Sequence, residues 1–472
     1  MLCHQCRDDG DASSSEESAQ VLSPCVSTDI PQETDDVQSA LEELKKTIAG
    51  QRSTASFACG GAIPISTTDI SDDSNILPIS PPVKIYWSLR DDMNAKKVVL
   101  PLDHTSADSS PAALQDLVSD CSPATFGRGS EDILDTSYRQ AGKMEPAKFT
   151  ATFHPADFRI ITLIERILLP SVSTDTENSL RGRSISAELY KLNVYSGPSG
   201  LFQSHVDTPR SIRQVGSLVV CLPAAFKGGN LLVRHQDKEV DFDWAPRSAT
   251  AIQWAAFYSD CSHEIKRVTE GERLTLTYNL YVKEPEHVST FIPTSSVEPW
   301  TLPIYSQLDA LFHNPQFFPN GGVIGIYCAH AYAHTSEDAE INVPRTLKGS
   351  DLVFYAVFKA LGAKLKIRPV LDRYGDYYED DDREPQGGDL VGDTLHSYQN
   401  SGASTEYDPW NQIVCNEWPH RRFPRITWLT SQKHWEEALS FIAYGNEPSV
   451  GISYSAAAIL AKVPRWTKRF SS

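Results

Sequence analysis

The residues best suited to chemistry lie in the stretch Tyr195-Ser-Gly-Pro-Ser-Gly-Leu-Phe-Gln-Ser-His205-Val-Asp207-Thr-Pro. On a strand, positions i and i+2 face the same way, so His205 and Asp207 can present an imidazole and a carboxylate to one point. A third ligand is on offer in His263, within Tyr258-Ser-Asp-Cys-Ser-His-Glu-Ile, on a later segment that a barrel would fold back alongside. Two histidines and one carboxylate on one face of an octahedral metal leave three positions open. The plainer reading of His205 and Asp207 is an ion pair at a strand end. The 13 histidines make about one His-x-Asp expected by chance, and His235-Gln-Asp237 is a second copy. That copy lies between Leu231-Leu-Val and Val240-Asp-Phe, beside Arg234 and Lys238, and reads as a hairpin turn.

Arg273 follows ten residues after His263, ahead of Leu-Thr-Leu-Thr-Tyr-Asn-Leu-Tyr. Alternation puts Arg273, Thr275 and Thr277 on one face, and Leu274, Leu276 and Tyr278 on the other. A guanidinium inside an otherwise apolar barrel is costly unless an anion pairs with it, and its planar fork matches a carboxylate. Tyr195 could donate its phenol to the same carboxylate, and Thr275 could add a hydroxyl. The competing reading pairs Arg273 with Glu270 or Glu272 at an exposed hairpin.

The elements that must position these groups read as strands. Between Ser184 and Val282 the segments Ala187–Val194, Ser217–Leu222, Asn230–His235, Thr250–Trp254 and Arg273–Val282 are rich in β-branched and aromatic residues between Gly and Pro turns. Short strands at such spacing predict a barrel or jelly roll. Upstream, Val83–Trp87 and Lys97–Leu100 also read as strands, while Ala112–Cys121 and Ala156–Leu169 carry helical patterns. In the second helix Phe158, Ile161, Leu163, Ile164 and Ile167 form the expected apolar face. The segment from Asp35 predicts a short capped helix with Val37, Leu41 and Leu44 on one stripe.

Of 472 residues, 40% are hydrophobic and 22% charged, enough apolar mass for a large core, and the net charge is −18. An acidic chain without a basic stripe is a poor match for nucleic acid or anionic lipid. No run approaches the roughly 18 apolar residues of a membrane span. The polar, acidic start lacks a secretory signal pattern, and nine mostly scattered cysteines argue against a disulfide framework. These features lead us to expect a cytoplasmic or nuclear protein with no nucleic-acid or membrane partner.

Taken in order, Tyr195, His205, Asp207, His263 and Arg273 resemble the prolyl 4-hydroxylase-type branch of the 2-oxoglutarate- and Fe(II)-dependent oxygenases, including members encoded by fungi. The resemblance spans about Ala187–Val282 and is thin elsewhere. It implies a double-stranded β-helix (jelly-roll) core in an α+β chain. It also implies iron held by His205, Asp207 and His263, with the distal carboxylate of 2-oxoglutarate held by Arg273 and helped by Tyr195. Collagen-type members often carry Lys where this chain has Arg273, whereas oxygen-sensing members carry Arg. The implied cofactors are Fe(2+), 2-oxoglutarate and O2, with ascorbate as a stimulant. The implied reaction hydroxylates an unactivated C–H bond, such as a prolyl or other protein side chain, and releases succinate and CO2. Tailoring of a small molecule in secondary metabolism, and a non-catalytic sensor or binding module, are the alternatives on the same fold.

The expected organisation is a disordered acidic region with a short helix (1–52), a supporting α/β extension (53–183), the oxygenase core (184–283), a linker (284–303) and a C-terminal mixed α/β region (304–472), with helices flanking the core. Other features carry blander expectations. Cys3 and Cys6 have zinc-like spacing without a second pair. His330 and His334 read as satisfied buried histidines, Cys261 as a small buried hydrophobe and Gly228-Gly229 as a tight turn. Trp254 either lines the substrate mouth or fills the barrel, and the acidic run from Asp376 reads as a solvated loop.

Overall fold

The computed structural model describes residues 35–66, 79–88, 95–128, 131–172, 180, 182–283, 296–333, 342–371, 390–391, 426–431, 445–448 and 454–469. All but the last of residues 1–35, most of the linker (284–295), His334 and the acidic run from Asp376 lie outside this set.

Two facing sheets form the central part of the chain. Their strands are β1 (Ala58–Pro64), β2 (Ser184–Ser196), β3 (Leu201–His205), β4 (Gln214–Cys221), β5 (Leu231–His235), β6 (Lys238–Phe242), β7 (Ala251–Tyr258), β8 (Ser262–Ile265) and β9 (Val268–Lys283). The larger sheet runs β1-β7-β4-β9-β2 and continues through the short strands Gly142–Met144 and Ser122–Pro123. The smaller runs β6-β5-β8-β3 and ends on Arg139–Gln140. β4 and β7 are buried at every position, as their β-branched and aromatic composition requires. The strands expected between Ser184 and Val282 all form, and so do Val83–Trp87 and Lys96–Leu100.

One strand runs further than its sequence suggests. Glu270-Gly-Glu272 reads as a turn ahead of Arg273, yet β9 passes through it. Gly271 takes φ +74 there, and a Cβ would stand 2.2 Å from the Ala225 carbonyl oxygen, so only glycine fits. Arg273 consequently sits well inside the strand and not at its head.

Helix α1 (Asp35–Thr54) starts where expected but runs for 20 residues, burying Val37, Leu41, Leu44 and Ile48 at helical spacing. Asp35 and Asp36 in its first turn and Arg52 in its last complement the helix dipole. Helix α2 (Pro111–Asp120) is capped by Ser110, whose hydroxyl accepts from the Ala113 N–H at 3.3 Å. The next helix departs from expectation. Arg159, at φ 57, separates a short 3-10 turn (Pro155–Phe158) from α3 (Ile160–Leu168). Its buried stripe is Ile160, Ile164 and Leu168, whereas Leu163 and Ile167 are exposed. Ile164 is buried and Phe158 and Ile161 pack against the core as expected, so the expected face holds in part, with Ile160 and Leu168 taking the places of Leu163 and Ile167.

The remaining chain builds a further sheet from β10 (Gly322–Tyr327), β11 (Lys364–Leu371), β12 (Ile426–Trp428) and β13 (Ala457–Val463), in the order β11-β13-β10-β12 with Leu390–Val391 beyond β11. Helices α4 (Pro303–Phe312) and α5 (Gly349–Ala360) pack with it. The stripe of α1 joins this second core although it comes from the other end of the chain. Among the described residues, no helix is long and apolar enough to cross a membrane.

Candidate metal and cosubstrate site

The smaller sheet brings the three candidate ligands together. β3 and β8 pair antiparallel with His205 opposite His263. β3 ends at His205, so Asp207 lies two residues beyond the strand and not on it as alternation assumed. The convergence holds nonetheless: one ligand atom from each of His205, Asp207 and His263 lies within 4.8 Å of the others. Asp207 Oδ1 is 3.7 Å from His263 Nε2, and all three residues are buried.

Each ring is held by the nitrogen that faces away from the cluster. His205 Nδ1 lies 2.8 Å from the Gln203 carbonyl oxygen and His263 Nδ1 3.1 Å from that of Cys261. A proton on Nδ1 donated to those carbonyls leaves each Nε2 lone pair free for a metal. The Phe202 ring stacks on His205 at 3.5 Å between centroids. Burial, and then the neighbouring His263, pulls the His205 imidazole well below its ordinary range, so it is neutral at neutral pH, as a ligand must be. The Asp207 carboxylate accepts from the Ser217 hydroxyl through Oδ2 and from Asn446 Nδ2 at 2.7 Å through Oδ1. Ion pairing at an exposed strand end does not describe this arrangement.

Arg273 stands opposite Tyr195 in the β2–β9 register and is 0% exposed. Its Nε and both terminal nitrogens have no hydrogen-bond partner among the described residues. Neither glutamate takes it: Glu270 pairs with Lys227, and Glu272 accepts from the Ser196 hydroxyl. Two aromatic faces approach it, Trp244 at 5.1 Å and Tyr195 at 5.5 Å from the guanidinium carbon. Burial lowers its pKa from the usual value. A buried cation with every donor unspent is a strong local demand for an anion, and a carboxylate meets it in shape and charge. Thr275, buried two residues further along the strand, falls on Arg273's side by alternation and pairs with Cys221 and Asn193. Strand β4 links the two half-sites: Ser217 reaches Asp207, and Cys221, four residues on and on the same face, lies close enough to feel the Arg273 charge.

Sequence reasoning missed Ser217, Trp244 and Asn446. None lies at a readable spacing from the groups it touches, and only the paired strands and a returning segment bring them there. The Trp254 ring lies against Gly61 of the neighbouring strand, so it fills the core. Cys261 is fully buried, and Gly228 and Gly229 both take φ +70 ahead of β5, as a turn demands.

A second grouping of the same residue types, His235, Asp260 and His330, also has ligand atoms within 4.8 Å of one another. His235 ends β5, at the hairpin expected for it, where Gln236 takes φ 54. His330 is buried and bonded, as expected, with Nδ1 3.0 Å from Asp260 Oδ2, though residues around it are not helical. Asp260 is already answered by Lys348 Nζ at 2.7 Å and the Ala331 N–H at 3.0 Å. Burial pushes the Asp260 carboxyl up, but Lys348 and His330 outweigh it and hold it well below the usual range. The His235 and His330 rings stack at 4.0 Å and 17°, so their in-plane lone pairs lie in nearly parallel, offset planes and do not converge on one ion. This grouping is a buried ion cluster joining the two halves of the chain.

Residues 190–281 match the model of the 2OG-Fe(II) oxygenase superfamily. A search of curated proteins finds no match. Among solved structures, the chain is similar to a prolyl-4-hydroxylase of Pseudomonas putida, at 20% identity over 39% of this chain and 88% of that one, with a TM-score of 0.24. It is also similar to a Trichoplax adhaerens prolyl hydroxylase in complex with a hypoxia inducible factor peptide fragment, at 13% identity, 53% and 94% coverage and a TM-score of 0.25. A third is a 2OG-Fe(II) oxygenase family oxidoreductase of Burkholderia pseudomallei, at 16% identity, 36% and 77% coverage and a TM-score of 0.20. The matched segment carries the His-Asp-His grouping and makes the chain a dioxygenase of the 2OG-Fe(II) type. Its cofactors are those of that superfamily: Fe(2+), 2-oxoglutarate and O2.

Proposed function

We propose that this dioxygenase hydroxylates an unactivated C–H bond, in a prolyl or other side chain of a protein, with release of succinate and CO2. The observation that carries the reading is Arg273, fully buried with three unpartnered guanidinium nitrogens in the same sheet pair as a convergent two-histidine, one-carboxylate cluster. When bound, the ferrous ion and its cosubstrates supply the oxidising power for the C–H bond. The chain's own residues do the placing. His205, Asp207 and His263 would hold the metal through two imidazoles and one carboxylate. Arg273 takes the distal carboxylate of 2-oxoglutarate in its fork, with the Tyr195 and Thr275 hydroxyls as further donors. Trp244 and Tyr195 cover the guanidinium and keep water from it, so the charge pair forms in a low-dielectric pocket.

The test is succinate release under Fe(II), 2-oxoglutarate and O2, screened against peptides and a metabolite extract. A peptide that raises succinate and gains 16 mass units (one oxygen atom) supports the protein-side-chain reading, while a response to metabolites alone transfers the activity to small molecules. Unchanged succinate formation in His205→Ala or Asp207→Ala would refute the assignment of the site.

A further inference from the structure

The match to the oxygenase superfamily ends at residue 281, yet a group from residue 446 sits on the candidate iron ligand. The described residues Gly445-Asn-Glu-Pro448 cross the edge of the oxygenase core as a strap. Gly445 exchanges both backbone hydrogen bonds with Gly127, at 3.0 and 2.9 Å, and forms a parallel bridge with Val206. Asn446 Nδ2 donates to Asp207 Oδ1 at 2.7 Å, and its Oδ1 accepts from the Thr208 N–H at 3.0 Å. The Glu447 carbonyl accepts from the Thr208 hydroxyl at 2.6 Å. The Glu447 carboxylate is ion-paired with Lys191 and Arg210.

The placement matters because of where β3 stops. His205 is fixed by the ladder opposite His263, but residues 206–208 lie beyond it. The strap takes over at Val206, where the strand pairing has run out. Ser217 fixes Asp207 Oδ2, and Asn446 fixes Oδ1, the oxygen nearest His263 Nε2. One amide group thus holds the side chain of residue 207 and the backbone of residue 208 together. Asn446 is only 8% exposed, so water does not readily replace it.

We propose that the strap completes the metal site, with Asn446 as a positioning residue that aims Asp207 Oδ1 at the two histidines and Glu447 as the anchor of the strap. The inference rests on the proposed iron site and adds that the C-terminal region is part of it. Outer groups that orient a metal ligand are worth about 10- to 100-fold in metal affinity.

The experiment titrates the full-length, metal-free chain with Co(II) and with Fe(II) under anaerobic conditions, recording affinity, the Co(II) d–d spectrum and the metal-free melting temperature. Asn446→Leu, close to the native side chain in size, weakens both metals by about 10- to 100-fold and alters the Co(II) band. Glu447→Gln gives a smaller loss in the same direction. Its side chain is partly exposed, so it decides the matter if Asn446→Leu does not fold. Metal binding within twofold of wild type in a folded Asn446→Leu chain, or in Glu447→Gln where that is the only folded variant, overturns the proposal. If the wild-type chain itself fails to bind either metal while Asp207→Ala changes nothing, the iron site is at fault, and the strap loses its role with it.

Discussion

Two clusters in this chain share a composition and differ in what they can do. His205, Asp207 and His263 keep an Nε2 lone pair on each ring and an oxygen facing them, because backbone carbonyls occupy the Nδ1 positions. In the other cluster the His330 Nδ1 is spent on Asp260, and Lys348 supplies the cation. A fixed ammonium 2.7 Å from Asp260 Oδ1 already neutralises the carboxylate. Composition and proximity therefore do not define a metal site. The decisive feature is which atoms remain unspent once local hydrogen bonds are counted.

The largest expected effect is on turnover. His205→Ala or Asp207→Ala reduces substrate-coupled succinate formation to background with the fold intact by circular dichroism, whereas His235→Ala leaves it near wild type. Loss of turnover in His235→Ala would remove the distinction between the clusters.

The second effect is on stability. Lys348 is 2% exposed, touches Asp260 and the Ala331 carbonyl, and lies 5.3 Å above the Tyr332 ring and 5.4 Å above that of Tyr454. Removing one partner of a buried ion pair strands the other, at a cost of about 3–5 kcal/mol. Lys348→Met should lower the urea midpoint accordingly, and a midpoint equal to wild type would show the cluster to be ornamental.

Arg273 sharpens the contrast because its charge has no hydrogen-bond partner among the described residues. Arg273→Met should weaken 2-oxoglutarate binding by about 30-fold or more, the cost of losing one side of a buried charge pair, roughly 2 kcal/mol or more. The same change should leave the cosubstrate-free protein as stable as before or more so, since it removes a buried charge with no partner. Calorimetry and thermal melts read the two signs separately, and a destabilised chain with unaltered binding would make Arg273 a structural residue.

The smallest effect is the pH dependence of the ion cluster. The folded Asp260 carboxyl is held below its unfolded value, so its stabilising contribution is present above about pH 3.9 and is lost as pH falls through the lower folded pKa. The difference in melting temperature between wild type and Asp260→Asn should stay flat from neutral pH to about pH 4 and shrink only in stronger acid. A difference that vanishes near pH 6 would assign the effect to a histidine instead.

How much of this could be read from the chain depends on the range of the interactions. The strands from Ser184 to Val282 were legible because β-branched runs between Gly and Pro are local signals. His205, Asp207, His263 and Arg273 were legible because their order matches a known pattern, although alternation does not describe Asp207, which lies past the end of β3. The positive-φ glycine at Gly271 imitated a turn, and α3 carries apolar residues beyond its buried stripe, so local rules misplaced Arg273 along its strand and put Leu163 and Ile167 on the buried face. Ser217, Asn446 and the pairing of Asp260 with Lys348 had no local signature. Each contact depends on strand order or on a segment returning from far along the chain.

The most direct test of the account is the number of ferrous ions the chain binds without oxygen. Titration should give one Fe(II) per chain in wild type and in His235→Ala, and none in His205→Ala. Two ions per wild-type chain, or one that survives His205→Ala and disappears in His235→Ala, would contradict it.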